Sequence, residues 1–477
     1  MREINLFDTI TAISTPLGQG GIGIVRLSGK KALAIADQVF APKDGVKPSK
    51  YKSYTVHYGW IIKSHQVTKS PSHQIDKKDR VANIIDEVLL TVMRAPGSYT
   101  KEDIVEISCH GGIVVLREIL DLTLAKGARL AQRGEFTKRA FLNGRIDLSR
   151  AEAVLDIINA KTRYALENSI KQLRGDLSKE VRQLKDKLIE AIALLEANID
   201  FSEEDIAPAE AQKVNSDILF IKNKIDKLLD SAVHGKILRE GLSAVILGRA
   251  NTGKSSLLNA LLKEERVIVS PVAGTTRDAV EEILDLQGIP LKITDTAGII
   301  EPKDLIEQEA LKRTRRYFDK ADLVLLVFDS GARLTAEDRL LIKKAKAKTT
   351  IVVLNKSDLR PRIEEAEIKR HFDCLVKVSS LKRKGLKELE QAIVRSVWEG
   401  KLEASDELIV SNVRHIQALK KAKEALSRAQ ESLRSKLSIE FIAEDLRFCR
   451  ESLSLIIGES AGEDVLDKIF SQFCIGK

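Results

Sequence analysis

The stretch Gly248-Arg249-Ala250-Asn251-Thr252-Gly253-Lys254-Ser255 constrains this chain more than any other, because it fits G-x-x-x-x-G-K-[ST] and lies between a strand-like run, Leu242 to Leu247, and a helix-like one, Ser256 to Leu262. A glycine-rich turn between strand and helix aims backbone N–H groups at a phosphate, and the helix N-terminus adds a favourable field. Lys254 is then placed to reach the β- and γ-phosphates of a nucleotide and Ser255 to hold Mg²⁺. The bland alternative is a glycine turn with a chance lysine, and three further motifs count against it.

Asp295-Thr296-Ala297-Gly298 follows the strand-like Leu291 to Thr294, where a carboxylate faces the Mg²⁺ shell and a glycine N–H meets the γ-phosphate. Asn355-Lys356-Ser357-Asp358 ends the apolar run Thr350 to Leu354. A carboxylate there accepts two hydrogen bonds from the N1–H and exocyclic amine of guanine, and adenine leaves that acceptor unpaired, which is costly. Between the phosphate loop and Asp295 lies Gly274-Thr275-Thr276-Arg277-Asp278, whose Thr276 is a candidate nucleotide-dependent switch closing over Mg²⁺. Each tetrapeptide is weak alone, but four in order at strand ends are specific, and the segment resembles the translation-factor-like GTPases. The expected GTP contacts are Asn251, Thr252, Gly253, Lys254, Ser255 and Ser256 from the loop, then Ser270, Thr275 and Thr276, then Asp295, Thr296, Ala297 and Gly298. Asn355, Lys356 and Asp358 follow, with Ser379 and Ser380 last.

After Gly298 the chain has Ile299 and Ile300, where a Ras-type enzyme has a glutamine to orient water. Hydrolysis therefore needs another arrangement. Asn251, inside the loop, offers an amide oxygen to a monovalent cation beside the phosphates, where an arginine finger's charge otherwise sits; its plainer role is to stabilise the turn.

The chain has 477 residues, enough for about three domains. No apolar run approaches a membrane span, and the start lacks a signal peptide's basic-then-apolar layout, so a cytoplasmic protein is expected. Cys109, Cys374, Cys449 and Cys474 form no C-x-x-C pair, which suggests neither a disulfide framework nor a zinc ribbon. The net charge of +9 is compatible with an RNA partner and is equally met in enzymes without one.

Toward the N-terminus, Gly18-Gln19-Gly20-Gly21-Ile22-Gly23 matches a dinucleotide fingerprint, but the strand-like Ile24 to Leu27 follows the glycines instead of preceding them, which argues against that site. Strand-like Tyr54 to Ile61, Val88 to Met93 and Asp103 to Ser108, with helical Lys30 to Val39 and Gly112 to Lys126, read as a small α+β domain ending near Gly144. Beyond Leu148 apolar residues recur every three or four positions, as at Leu184, Leu188, Ile192 and Leu195, and again at Ile439, Ile442, Leu446 and Cys449. Each such helix has one apolar stripe and needs a partner. Helical stretches on both sides of an α/β unit indicate a multidomain chain with the P-loop domain inserted into an all-α bundle. The divisions expected are 1–144, 145–236, 237–401 and 402–477.

Thr9 to Gly29, Pro96 to Gly112, Arg133 to Ala160 and the terminal Phe473-Cys474-Ile475-Gly476-Lys477 resemble the tRNA-modification GTPase family MnmE, also called TrmE, and with the GTPase motifs the resemblance runs from about Phe7 to Lys477. It implies a GTP hydrolase that dimerises through its N-terminal domain. With the flavoprotein MnmG (GidA), the family installs an aminomethyl-type group on the wobble uridine of certain tRNAs, and whether this chain itself touches tRNA is open. The resemblance also implies a 5-formyl-tetrahydrofolate bound by Arg26, Glu106, Arg145 and Lys477, with Cys474 near the one-carbon unit; Arg145 stands where the family commonly shows lysine. It places Mg²⁺ on Ser255 and Thr276, and K⁺ on Asn251, Ser270, Val272 and Thr275. Glu307, with Glu309 as the neighbouring alternative, falls where the family has a glutamate that arranges the attacking water. Two competing readings are an RNA-binding or ribosome-assembly GTPase switch without one-carbon chemistry, and a folate-binding scaffold with a vestigial nucleotide domain. The N-terminal motifs and the FCIGK end oppose the first, and the four intact nucleotide motifs oppose the second.

Overall fold

The computed structural model describes residues 8–63, 83–201, 208–264, 282–295, 317–398 and 408–477. The chain divides into two compact units, Met1–Leu155 with Ile457–Lys477, and Asp156–Ile456.

In the first unit, β1 (Ile10–Ile13), β2 (Gly20–Ser28), α1 (Ala32–Val39), β3 (Phe40–Pro42), β4 (Thr55–Ile62), β5 (Ile84–Met93), β6 (Ile104–Gly111), α2 (Ile113–Ala125) and β7 (Arg129–Leu130) succeed one another. The strands form one sheet in the order β3-β4-β5-β6-β2-β1-β7, antiparallel except where β1 lies beside β7. Period-2 alternation sorts its side chains. Val25 and Leu27 of β2, Ile107 of β6 and Leu90 of β5 are buried beneath α1 and α2, which leaves Arg26, Glu106 and Leu89 for the opposite face. The glycines of β2 belong to the strand, which begins at Gly20 and not at Ile24, and their role is close packing. A Cβ on Gly23 would come within 2.8 Å of Leu116, and one on Gly111 within 2.4 Å of the Gly20 carbonyl.

Next comes α3 (Glu135–Leu142), which sets Phe136 against Ile10 and Ala12. A charge network fixes this helix. Arg139, fully buried, pairs with Asp8 at 2.5 Å, Glu135 at 3.0 Å and Glu102 at 3.1 Å, and Arg129 bridges Asp8 and Glu135 at 2.6 Å each. Burial alone would raise the Glu135 carboxyl, but hydrogen bonds from Arg129, the Gln132 N–H and Arg139 hold it below its ordinary value.

Helix α4 (Leu148–Asn159) spans the boundary between the units, and α5 (Arg163–Arg174), α6 (Asp176–Phe201) and α7 (Pro208–Glu240) follow. Their apolar stripes are buried as the periodicity requires: Leu184, Leu188 and Leu195 on α6, Ile218, Ile221 and Ile225 on α7. α7 runs unbroken through Lys236 to Glu240, and Gly241, at φ +86°, turns the chain into the next sheet.

That sheet contains β8 (Leu242–Leu247), followed by α8 (Lys254–Glu264), β9 (Glu282–Leu286), β10 (Ile289–Asp295), β11 (Leu323–Asp329), α9 (Ala336–Ala345), β12 (Thr350–Asn355), α10 (Glu365–Lys369), β13 (Leu375–Lys377) and α11 (Leu386–Trp398). The order β13-β12-β11-β8-β10-β9 is parallel apart from edge strand β9. One face packs on Leu257 and Leu261 of α8 and Leu389 and Ile393 of α11, the other on Leu341 and Ile342 of α9. This is a doubly wound α/β domain.

α12 (Val413–Arg434) and α13 (Ile439–Ile457) resume the bundle, and α12 packs on α7. Where the chain returns, the Val410 N–H donates to Ser231 Oγ (3.1 Å) and Gln172 Nε2 donates to the Ile409 carbonyl (3.1 Å). A Cβ on Gly235 would come within 2.2 Å of the Val410 carbonyl. Exit and return therefore lie side by side, as an inserted domain requires. The last helix, α14 (Glu463–Phe470), belongs to the first unit, where Leu466, Phe470 and Phe473 share a core with Ala140, Leu148 and Ala151.

Candidate functional site

The phosphate loop joins β8 to α8, and its shape depends on two left-handed residues, Asn251 at φ +65° and Gly253 at φ +89°. Asparagine tolerates that region better than most residues. Gly253 has a second constraint, because a Cβ there would lie 2.3 Å from Asn355 Nδ2. Gly248 is pressed on β11, with the Val327 carbonyl 2.4 Å from where its Cβ would stand. Inside the loop the Arg249 carbonyl accepts from Thr252 Oγ1 and from Lys254 Nζ, both at 3.0 Å. A phosphate competes well for that ammonium, since a charged acceptor makes the stronger hydrogen bond. Ser255 and Ser256, on the first turn of α8, are exposed.

The end of β12 locks to this loop. Asn355, 1% exposed, donates Nδ2 to the carbonyls of Thr252 (3.0 Å) and Gly253 (3.3 Å), while Oδ1 accepts from the Ser380 N–H (3.1 Å) and hydroxyl (2.9 Å). Its full amide capacity is used. Lys356, at φ +59°, donates Nζ to the Asn251 carbonyl (2.8 Å) and to Asp329 (2.7 Å). Asp358 Oδ1 accepts from the Ser379 hydroxyl at 2.5 Å, and this bond, with the Asp358 N–H second, holds the carboxyl below its ordinary value. The ionised carboxylate is the form that can accept from two donors on a base edge.

A second set converges in the first unit. Arg26 and Glu106 are direct cross-strand partners on β2 and β6, and Arg26 Nε donates to Glu106 Oε1 at 2.7 Å. Arg26 Nη1 donates to the carbonyl of Gly476 at 3.1 Å, and Ser14 Oγ donates to the same carbonyl at 3.2 Å. The chain end is held further by the Gly134 N–H on the Cys474 carbonyl (3.3 Å) and by a bridge between Arg133 and Ile475. Gly476, at φ +95°, is required for this approach, since a Cβ would come within 2.4 Å of the Ile13 carbonyl. Arg26 also lies over the Phe136 ring at 5.6 Å and Arg145 over Tyr99 at 4.8 Å. Burial raises the Tyr99 hydroxyl above its ordinary value, against the Thr137 hydrogen bond and the charges of Arg145 and Arg26. The structure thus gathers Arg26, Glu106, Arg145 and the chain end. Lys477 is half-buried and the Cys474 side chain is exposed.

Of the residues expected at the nucleotide, the structure brings together Asn251, Thr252, Gly253, Lys254, Asn355, Lys356, Asp358, Ser379 and Ser380. Asp295 closes β10 beside Ile246 of β8. Ser270, Val272, Thr275, Thr276, Thr296, Ala297, Gly298 and Glu307 lie outside the described residues. Reading the sequence missed Asp329 and Asp338, which hold the loop through Lys356 and Arg249, and the Tyr99 and Phe136 rings beneath the arginines. Each stands far from its partner in sequence, and no local pattern marks it.

A phosphate loop on a doubly wound sheet, locked by the buried asparagine of an Asn-Lys-x-Asp run, defines a P-loop GTPase. The pattern described as the MnmE helical domain matches residues 148–474, and that of the GTP-binding protein TrmE N-terminus matches residues 9–145. The chain is 45% identical over 474 residues to the tRNA modification GTPase MnmE of Alkaliphilus metalliredigens, covering 99% of this chain and 100% of the relative. Against the protein of the same name from Bacillus subtilis it is 44% identical over 473 residues, covering 98% and 100%. Among solved structures, Aquifex aeolicus Era aligns with 38% of this chain and 65% of its own at 29% identity and TM-score 0.28. The G domain of T. maritima FeoB aligns with 32% and 98% at 27% identity and TM-score 0.26. The chain belongs to the family of tRNA modification GTPases MnmE, and it is a GTP hydrolase. Among the described residues no helix is long and apolar enough to cross a membrane.

Proposed function

We propose that this GTPase works in the cytoplasm as a homodimer with a flavoprotein of the MnmG (GidA) type, and that its GTP cycle drives formation of a (carboxymethyl)aminomethyl group on the wobble uridine of certain tRNAs. The one-carbon donor is 5-formyl-tetrahydrofolate or a related tetrahydrofolate. It binds in domain 1–144, joined by the end of domain 402–477, while 145–236 supplies the first half of the bundle and 237–401 hydrolyses GTP.

The observation that carries the folate reading is the hold of Arg26 on the Gly476 carbonyl, 450 positions away, beside Glu106. Glu106 Oε1 accepts from Arg26 Nε, and its Oε2 accepts no hydrogen bond among the described residues. That oxygen suits the N–H donors of a pterin edge, and Arg145 and Lys477 supply positive charge for the folate carboxylates. Cys474 is exposed close to this arrangement and is the candidate to act on the one-carbon unit. Homodimerisation is supported by an exposed apolar group on the sheet face opposite α1 and α2, where Tyr58 and Leu89 are cross-strand neighbours and Val56 lies beside them.

At the nucleotide, Lys254 and the loop N–H groups bind phosphate, Asp358 reads guanine, and Ser255 with Thr276 would hold Mg²⁺, which would supply neutralisation of phosphate charge. Asn251, already turned left-handed, supplies a K⁺ ligand together with Ser270, Val272 and Thr275, and Glu307 orients water. Removing residues 474–477 from the full-length protein should lower affinity for 5-formyl-tetrahydrofolate about tenfold, the scale of one charge-assisted hydrogen bond, with GTP hydrolysis retained. Calorimetry showing unchanged folate affinity would refute the folate assignment.

A further inference from the structure

The two carboxylates that hold the phosphate loop both come from the end of β11 and the start of α9. Asp329, at the end of β11, takes Lys356 Nζ at 2.7 Å, and Lys356 in turn grips the Asn251 carbonyl. Asp338, nine residues further on, stands on the first turn of α9 and is 2% exposed. Its Oδ2 closes a capping box, accepting from the Thr335 N–H and hydroxyl at 2.9 Å each. Its Oδ1 is buried without a hydrogen-bond partner. The guanidinium of Arg249 reaches it with Nε 3.5 Å from Oδ2, the one ion pair that Asp338 makes among the described residues.

Arg249 is the loop residue whose carbonyl receives both Thr252 Oγ1 and Lys254 Nζ. Its side chain lies at ion-pair distance from a carboxylate that cannot follow it into solvent, because α9 and the capping box hold that carboxylate in place. We infer that the Arg249–Asp338 pair is a positioning device for the phosphate loop: by fixing Arg249 it sets the place from which Lys254 moves onto a nucleotide, and so governs how long the nucleotide stays bound. Neither side chain need touch the nucleotide. The pair acts through the Arg249 backbone, and its partner residue lies 89 positions along the chain from the motif.

The test is the release of a fluorescent GDP from the full-length protein carrying Arg249→Gln, Asp338→Asn or both. Asparagine at 338 retains an oxygen for Thr335, so the helix cap survives, and Arg249 is partly exposed, so its replacement leaves the fold in place. Each single variant should release GDP about five- to tenfold faster, and the double variant no faster than either single, because coupled residues lose one shared interaction. Arg249→Lys should recover part of the slow release. Base preference, read as GDP against inosine diphosphate, should not move, because Asp358 and Ser379 lie in two other loops and bond to each other. Unchanged release with a lowered melting temperature would assign Asp338 to the helix cap alone and overturn the inference. Effects that multiply in the double variant would overturn it equally.

Discussion

At the nucleotide site the organising side chain, Asn355, is neutral and joins three segments through four hydrogen bonds. In the first unit the comparable task falls to charges: Arg139, with no exposure, gathers Asp8, Glu102 and Glu135, and Arg26 gathers Glu106 and the chain end. A neutral amide satisfied on all sides is insensitive to pH and salt. A buried ion network is stable only while every partner keeps its charge, since a lone buried charge is far costlier than a lone amide. The two regions should therefore fail under different conditions.

The largest expected effect lies in the charge network. Glu135→Gln keeps the shape but neutralises the more buried of the two carboxylates, Glu135 and Asp8, that Arg129 and Arg139 share, and it should destabilise the first unit by about 3–5 kcal/mol, the scale for breaking a buried pair. Calorimetry of the full chain should show that loss confined to the transition that carries the N-terminal unit; a shift below 1 kcal/mol, on the same scale, would mean that the network is peripheral. The acid response has a definite sign. Asp8 and Glu135 are both held below their ordinary values against burial, by Arg129 and Arg139. The stability they supply is fully present above the unfolded carboxylate range, near pH 4, and is lost as pH falls through the lowered folded values. Unfolding on acidification should begin in the first unit, and Glu135→Gln should flatten that pH dependence.

Next in size is Asn355→Ala. It takes their buried Asn355 partner from the Thr252 carbonyl and the Ser380 N–H, at about 1–3 kcal/mol for each group left unsatisfied, while the Gly253 carbonyl keeps the Leu257 N–H. GTP affinity should fall by about a hundredfold, with the acid midpoint of the first unit unmoved. If that midpoint shifts as well, the two regions are not independent.

The same contrast explains what the sequence made legible. The loop from Gly248 to Ser255 and the run from Asn355 to Asp358 are short, contiguous and placed at strand ends, so local spacing alone located them, and the buried stripes of α6 and α7 followed from a 3.6-residue period. The period fails at Gly20 to Gly23, because a glycine shows no side chain to alternate, so the pattern marks a strand only from Ile24 although β2 begins at Gly20. The division at Lys236 corresponds to no break in the helix, since α7 continues to Glu240. The network of Asp8, Glu102, Arg129, Glu135 and Arg139 was invisible, as isolated charges in sequence look like solvated surface. Arg26 and Gly476 stand 450 positions apart, and only the family resemblance suggested that they meet. Thr276, Gly298 and Glu307 lie outside the described residues, so the hydrolytic end of the site rests on the motif pattern.

The smallest effect separates how the chain end is held from what it does. Its attachments run through backbone groups, the Cys474 carbonyl on Gly134 and the Gly476 carbonyl on Arg26 and Ser14, while the Cys474 thiol is exposed. Gly476→Ala places a Cβ against the Ile13 carbonyl at a left-handed φ, so the end should detach and folate affinity should fall several-fold, by about 1–2 kcal/mol of backbone strain. Cys474→Ser removes only the thiol. Folate affinity should then change by less than about twofold, within the range of surface substitutions, and any loss of tRNA modification in that variant isolates the chemistry of the sulfur from the binding of the donor. A drop in affinity matching that of Gly476→Ala would mean that the thiol itself holds the chain end, and the distinction between a backbone clasp and a reactive side chain would collapse. Retained modification in Cys474→Ser would leave the clasp as the whole function of the chain end.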